Sequence, residues 1–235
     1  MKEVKKIDWT SAACKVIDKG ISKEVAKEIT GGQGKKAIPL ASLISCGNMK
    51  LPKSMAIFNM GTAGDCPSEK LGLCQAIMNG KVVCYALKAE RLYPGVEPYR
   101  KRQEKLWKSL SAMEFAIQFL AMNALRKNPL TVLRMNESGD FWSQECVDKA
   151  EKVADILGQF GIPVYVYTVR KDLDYSQVKH LVINGSGFTK LGVTNEFKFV
   201  ETEADTPKGY VVCPGDCRYC NRCQKQNRNT VIVKH

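Results

Sequence analysis

Beyond residue 54 the chain carries six short apolar runs of strand length, at 55–58, 130–135, 163–169, 181–184, 197–200 and 210–212. This pattern constrains the fold more than any other feature. Between the runs lie helical stretches. Residues 143–160 repeat apolar side chains at helical spacing, with Cys146, Ala150, Val153 and Leu157 on one face and Gly161 as the stop. Residues 99–125 read as one long helix with Leu106, Leu110, Met113, Ile117, Leu120 and Ala124 along a single face. Strand–helix–strand alternation predicts an α/β fold with a mainly parallel sheet and flanking helices. An open sheet and a partial or complete (β/α) barrel both satisfy it. The length of 235 residues suits one α/β domain over 1–235. Residues 1–50 then form an N-terminal helical extension, with helices at 9–17 and 22–29, the second capped by Ser22. Gly31-Gly-Gln-Gly34 has neither a preceding strand nor a following Lys-Ser pair, so it reads as a hinge and not as a phosphate cradle.

The last apolar run leads directly into Cys213-Pro-Gly-Asp-Cys217-Arg-Tyr-Cys220-Asn-Arg-Cys223. Gaps of three, two and two residues let the backbone wrap one metal centre, with Pro214 and Gly215 supplying the bend. Such short loops suit disulfides poorly. Two-residue gaps at Cys217, Cys220 and Cys223 are those used around a [4Fe–4S] cube, and Cys213 can supply the fourth corner. A tetrahedral zinc site is the alternative. A second group, Cys66, Cys74 and Cys84, has wider spacing. These are either ordinary core thiols or further metal ligands, in the same centre or in a second cluster. Cys66 follows a glycine-rich strand end, which favours the latter. Cys14, Cys46 and Cys146 read as structural, and neither His180 nor His235 has a ligand neighbour in sequence.

In parallel α/β folds the strand C-termini converge on one face, where substrate sites form. Arg134, Asn136, Glu137 and Asp140 follow one run and Arg170 another. They are the candidate catalytic residues: the first four for positioning a polar substrate or moving a proton, Arg170 for holding a phosphate or carboxylate. The simpler reading makes Ser138-Gly139-Asp140 a turn and pairs Arg170 with Asp172.

A formal charge of +12 draws nucleic acid or phosphorylated substrates. Its denser stretches are Arg100-Lys-Arg102 with Lys105 and Lys108, and Arg218, Arg222, Lys225 and Arg228 around the cysteines. The chain shows no apolar run long enough to span a membrane and opens on a charged stretch. Ten cysteines without a secretory leader point to a reducing cytoplasm, where clustered thiols hold metals.

Taken together, Asp65-Cys66-Pro-Ser, Cys84-Tyr85-Ala-Leu-Lys-Ala-Glu-Arg91-Leu-Tyr-Pro94, Arg134-Met-Asn-Glu-Ser-Gly-Asp140-Phe and Tyr165-Val-Tyr-Thr168 resemble the phage gene product 88 family. The ending Cys213-Pro-Gly-Asp-Cys217, with its two further cysteines, is similar too, so the resemblance runs over about residues 55–225. It implies a protein carried by phages, plasmids or their hosts, and no particular reaction. More distantly, the layout resembles radical SAM enzymes, and Cys213-x3-Cys217-x2-Cys220 has their triad spacing. That resemblance implies SAM binding beside an auxiliary cluster. The resulting expectation is an iron–sulfur protein, an enzyme in its fullest form. A nucleic-acid-binding accessory protein whose metal only holds the fold is the alternative.

Overall fold

The computed structural model describes residues 7–74 and 76–233; the charged opening residues and His235 lie outside them. The sheet has eight strands: β1 (Ser45–Cys46), β2 (Met55–Phe58), β5 (Val132–Met135), β6 (Val164–Thr168), β7 (Val182–Ser186), β8 (Asn195–Val200), β9 (Val211–Val212) and β10 (Thr230–Val233). Their spatial order is β1-β2-β5-β6-β7-β8-β10-β9. All neighbours run parallel except β1, which pairs antiparallel with β2. A separate two-stranded hairpin joins β3 (Ile77–Met78) to β4 (Lys81–Val82). The expected α/β class holds. The main sheet is open, with β1 and β9 at its edges, so the barrel alternative is set aside.

Each strand divides its side chains between two faces, because successive residues point to opposite sides. Ala56, Phe58, Leu133, Met135, Val164, Val166 and Ile183 face the main core. That face is covered by α1 (Trp9–Lys19), α2 (Lys23–Ile29), α6 (Ala112–Ala124) and α7 (Gln144–Gln159). Residues 115–123 of α6 are buried all round, which fits a helix that is apolar on every side. Ala12, Ala13, Val16, Val25, Ala26 and Ile29 belong to the same core, so the N-terminal helices are a layer of the domain. Ser22 caps α2 as expected, its hydroxyl accepting from the Val25 amide at 3.1 Å.

The long helix expected at 99–125 is two helices, α5 (Val96–Ser109) and α6. Leu110 and Ser111 are extended, and Ser111 starts α6 with a reciprocal capping box. Its hydroxyl accepts from the Glu114 amide at 3.1 Å, and the Glu114 carboxylate accepts from the Ser111 amide at 2.7 Å. This local pairing satisfies the backbone groups that a continuous helix would otherwise have satisfied.

The second face holds Met55, Ile57, Val132, Tyr165 and Val182, with Tyr167, Cys217 and Cys223 packed against them. It is covered by Leu51 and by the long connection from β9 to β10, which contains the four-cysteine segment. Around the strand C-termini lie α3 (Pro67–Lys70), the hairpin and α4 (Tyr85–Leu92). No helix among the described residues is long and apolar enough to cross a membrane.

Candidate metal centre and its polar surround

The cysteine segment is fixed at both ends. The Cys213 amide donates to the Val231 carbonyl of β10 at 2.7 Å, and the Cys217 amide donates to Lys50 at 2.9 Å. Further along, the Cys223 carbonyl accepts from Asn184 at 2.9 Å and the Lys225 carbonyl accepts from Asn195 at 2.8 Å. Gly215 turns the chain in the left-handed region at φ 73°, and Arg218 chelates Asp216 across the bend. The guanidinium holds the Asp216 carboxyl down to about 2.

Cys213, Cys217, Cys220 and Cys223 all line one small cavity of about 20 Å³, together with Tyr165, Tyr167, Arg222 and Thr230. All four thiols are half-buried, and none of the ten cysteines is in a disulfide. Burial pushes the Cys217 and Cys223 thiols up, and their closeness to the other cysteines adds to this. Arg134 pulls Cys217 back down, and hydrogen bonds from Tyr167 and Thr230 do the same for Cys223. Among the described residues no three His, Cys, Asp or Glu side chains converge tightly enough to hold a metal ion. The sulfurs stand on the cavity wall. As a donor set they fit a thiophilic centre: four sulfurs on one short segment, with hydroxyl donors directed at one of them.

Arg134 on β5 sits opposite Tyr165 on β6, and its guanidinium carbon lies 5.4 Å from the Tyr167 ring centroid. The Nε atoms of Arg134 and Arg222 are buried without a hydrogen-bond partner among the described residues.

The first cysteine group is elsewhere. Cys66 precedes α3 and Cys84 precedes α4, while Cys74 lies on the exposed loop between them. Burial, then the Asp140 carboxylate, pushes the Cys66 thiol up to about 11, with a smaller contribution from nearby Cys74. Cys146 is buried, taking the Trp107 indole N–H at 3.3 Å; Cys46 is half-buried and Cys14 exposed.

The strand-end residues are bonded mainly to neighbouring loops and not to one another. Asn136 adopts φ 57°, and its side-chain carbonyl accepts from the Met60 amide at 3.1 Å, tying the β5 loop to the β2 loop. The buried Asp140 carboxylate accepts from the Ser68 hydroxyl at 2.7 Å and from the Phe141 and Val169 amides at 2.8 and 3.1 Å. Burial nevertheless pushes its carboxyl up. Arg170 binds Asp172 through Nε and Nη2 and gives Nη1 to the Phe141 carbonyl. These bonds make Asp140 and Arg170 braces between loops. Glu137 is more open: its carboxylate takes the Asn48 amide at 3.2 Å and its backbone carbonyl takes the Tyr85 hydroxyl at 2.7 Å.

Sequence reasoning missed Glu90. Buried on α4, it accepts from the Ala63 and Gly64 amides at 2.8 and 3.1 Å, from the Ser138 hydroxyl at 3.3 Å, and from Arg100 at 2.8 Å. The basic stretch on α5 is correspondingly weaker than its sequence suggests. Arg100 is buried against Glu90, Lys101 pairs with Glu97, and Lys108 pairs with Glu104. Near the cysteines, Arg218 is taken by Asp216.

The fold and site therefore define an α/β protein with helices on one sheet face and a cysteine-bearing loop across the other. The model of the gene product 88 family matches residues 19–182, and the chain belongs to that family. The match starts earlier than the motif resemblance and stops before the four-cysteine segment. No curated protein and no solved structure matches the chain. The similarity to radical SAM enzymes finds no support: the Cys213–Cys220 spacing lies between β9 and β10, not after the first parallel strand.

Proposed function

We propose that this phage-family protein is a cysteine-ligated metalloprotein with its centre at Cys213, Cys217, Cys220 and Cys223. The observation that carries the reading is the single cavity lined by all four thiols and backed by Tyr165 and Tyr167. Coordination would draw the sulfurs inward from the cavity wall. Iron–sulfur occupancy as [4Fe–4S] follows from the continuous run of ligands, and such a cluster supplies electron transfer. Zinc is the second reading, favoured by the cavity's size: about 20 Å³ is room for little more than one water-sized particle. The abundance of free thiols suits a reducing cytoplasm.

Among the strand-end candidates Glu137 is the polar group left most available, since Asp140 and Arg170 are occupied by loop bracing. A polar substrate would meet it first, which makes an iron–sulfur enzyme the fuller form of the proposal. Nucleic-acid binding draws less support, because three of the five basic residues in the densest stretch, Arg100, Lys101 and Lys108, are held by carboxylates.

Anaerobic purification with metal and sulfide analysis tests the reading. A [4Fe–4S] centre gives brown protein with about four irons per chain and a paramagnetic signal on reduction. One zinc per chain in colourless protein selects the second reading. Protein with no stoichiometric metal after purification and reconstitution with either one eliminates both.

A further inference from the structure

Two half-buried arginines around the four-thiol cavity, each with a buried Nε, have no carboxylate partner among the described residues. Arg222 lines the cavity itself; its Nη2 donates to the Asn229 carbonyl at 3.3 Å, while its Nε is buried and unpartnered. Arg134 stands one layer away on the sheet, packed against Tyr167, with its Nε also buried and unpartnered. Among the described residues neither forms an ion pair, whereas the buried Arg100 and Arg170 each have a carboxylate. Buried donors almost always find an acceptor, so each orphaned Nε–H calls for one. Other orphaned groups exist, on Gln118, Asn136 and Thr206, but those are neutral and away from the cavity lining.

We propose that Arg134 and Arg222 are positioning residues that supply the counter-charge for an anionic metal–thiolate centre in this cavity. The inference rests on the metal-centre reading above. Four thiolates around either a zinc ion or a [4Fe–4S] core leave two surplus negative charges, and two guanidinium groups cancel them. Their unpartnered N–H groups are suited to donate to sulfur, the kind of outer contact that orients ligands and tunes a centre. Arg222 lies within the loop and Arg134 on the sheet face that the loop covers, so the centre would be flanked from both sides.

The test uses the full chain, loaded with zinc or with an iron–sulfur cluster as the wild type dictates, and compares Arg134→Met, Arg222→Met and the corresponding lysine variants. The readouts are metal retention against a competing chelator and the stability of the metal-free chain. Each methionine variant should release metal roughly 10- to 100-fold more readily, and lysine should restore part of that loss. Metal-free Arg134→Met should be as stable as the metal-free wild type or more so, since an uncompensated charge has been removed. Equal metal retention in wild type and both methionine variants would overturn the inference while leaving the metal reading intact. So would Arg134→Met destabilising loaded and metal-free chains equally, which marks a packing role. Wild type that binds no metal removes both.

Discussion

The side-chain amide of Asn195 donates to the side-chain carbonyl of Asn184 at 3.0 Å, and this buried pair joins the sheet to the cysteine loop. Asn184 also donates to the Val166 and Cys223 carbonyls, and Asn195 binds the Lys225 carbonyl and the Arg228 amide. Asn184→Ala should cost about 1–3 kcal/mol, because it orphans buried partners. Asn184→Asp should be worse near neutral pH, since an acceptor-only carboxylate would face two carbonyl oxygens. Urea denaturation ranks the two variants, and reversal of their order would contradict the assigned bonds.

Glu90 joins the loop after β2 to α4 and α5. Glu90→Ala strands the buried Arg100 and three donors, and should cost about 3–5 kcal/mol. Replacing both Glu90 and Arg100 with apolar residues should cost less than the sum of the single changes. A double-mutant cycle in urea measures that coupling, and additivity would show that the pair is not coupled as drawn.

Gly139 is a packing requirement as well as a turn. Its φ is +73°, and a Cβ there would lie 2.9 Å from the Gly61 carbonyl oxygen. Gly139→Ala should cost about 2–3 kcal/mol through left-handed strain and displacement of the β2 loop. Gly158 has open space around it at an ordinary φ, so Gly158→Ala serves as the control and should be neutral or slightly stabilising. Thermal melts of the two variants suffice.

Asp140 and Asp172 should titrate in opposite directions. The hydrogen bond from Arg170 holds Asp172 below its usual range, whereas burial pushes Asp140 above its own. Asp172 therefore contributes stability above the unfolded aspartate value of about 3.9, and that contribution is lost as pH falls through its lowered folded value. Asp140 behaves inversely: its contribution is complete below about 3.9 and is lost as pH rises through its raised folded value. Carboxyl NMR titration reads both groups, and Arg170→Gln should return Asp172 toward the ordinary range.

The strands were legible because their apolar runs are short and bounded, and all six expected runs match a strand to within two residues of each end. Thr230-Val-Ile-Val233 carried the same signal and was missed behind the cysteine segment. The break at Leu110–Ser111 was legible as well: Ser111-x-x-Glu114 is a capping box, but unbroken helical periodicity across it masked the stop. The burial of Arg100 was not legible, because its partner is set by how α4 packs on α5. For the site, spacing predicts the four late cysteines around one point, and they line one cavity, but it gives no hint of which sheet face they cover. Alternation at Tyr165 and Tyr167 marked one face, and only the open, one-sided sheet shows that this face receives the loop. Asp140 and Arg170 stand at strand ends as anticipated, yet their bonding partners come from loops distant in sequence.

The position of β10 has a consequence for how the chain reaches this state. β10 is the last described strand, yet it lies inside the sheet, between β8 and β9. Until it docks, β8 presents an open edge and β9 has no neighbour. A nascent chain must therefore extend past residue 230 before the sheet can close, a long-range step of the kind that slows folding and exposes strand edges to aggregation. The connection carrying the four thiols precedes that strand, so its two ends are fixed only in the final docking event.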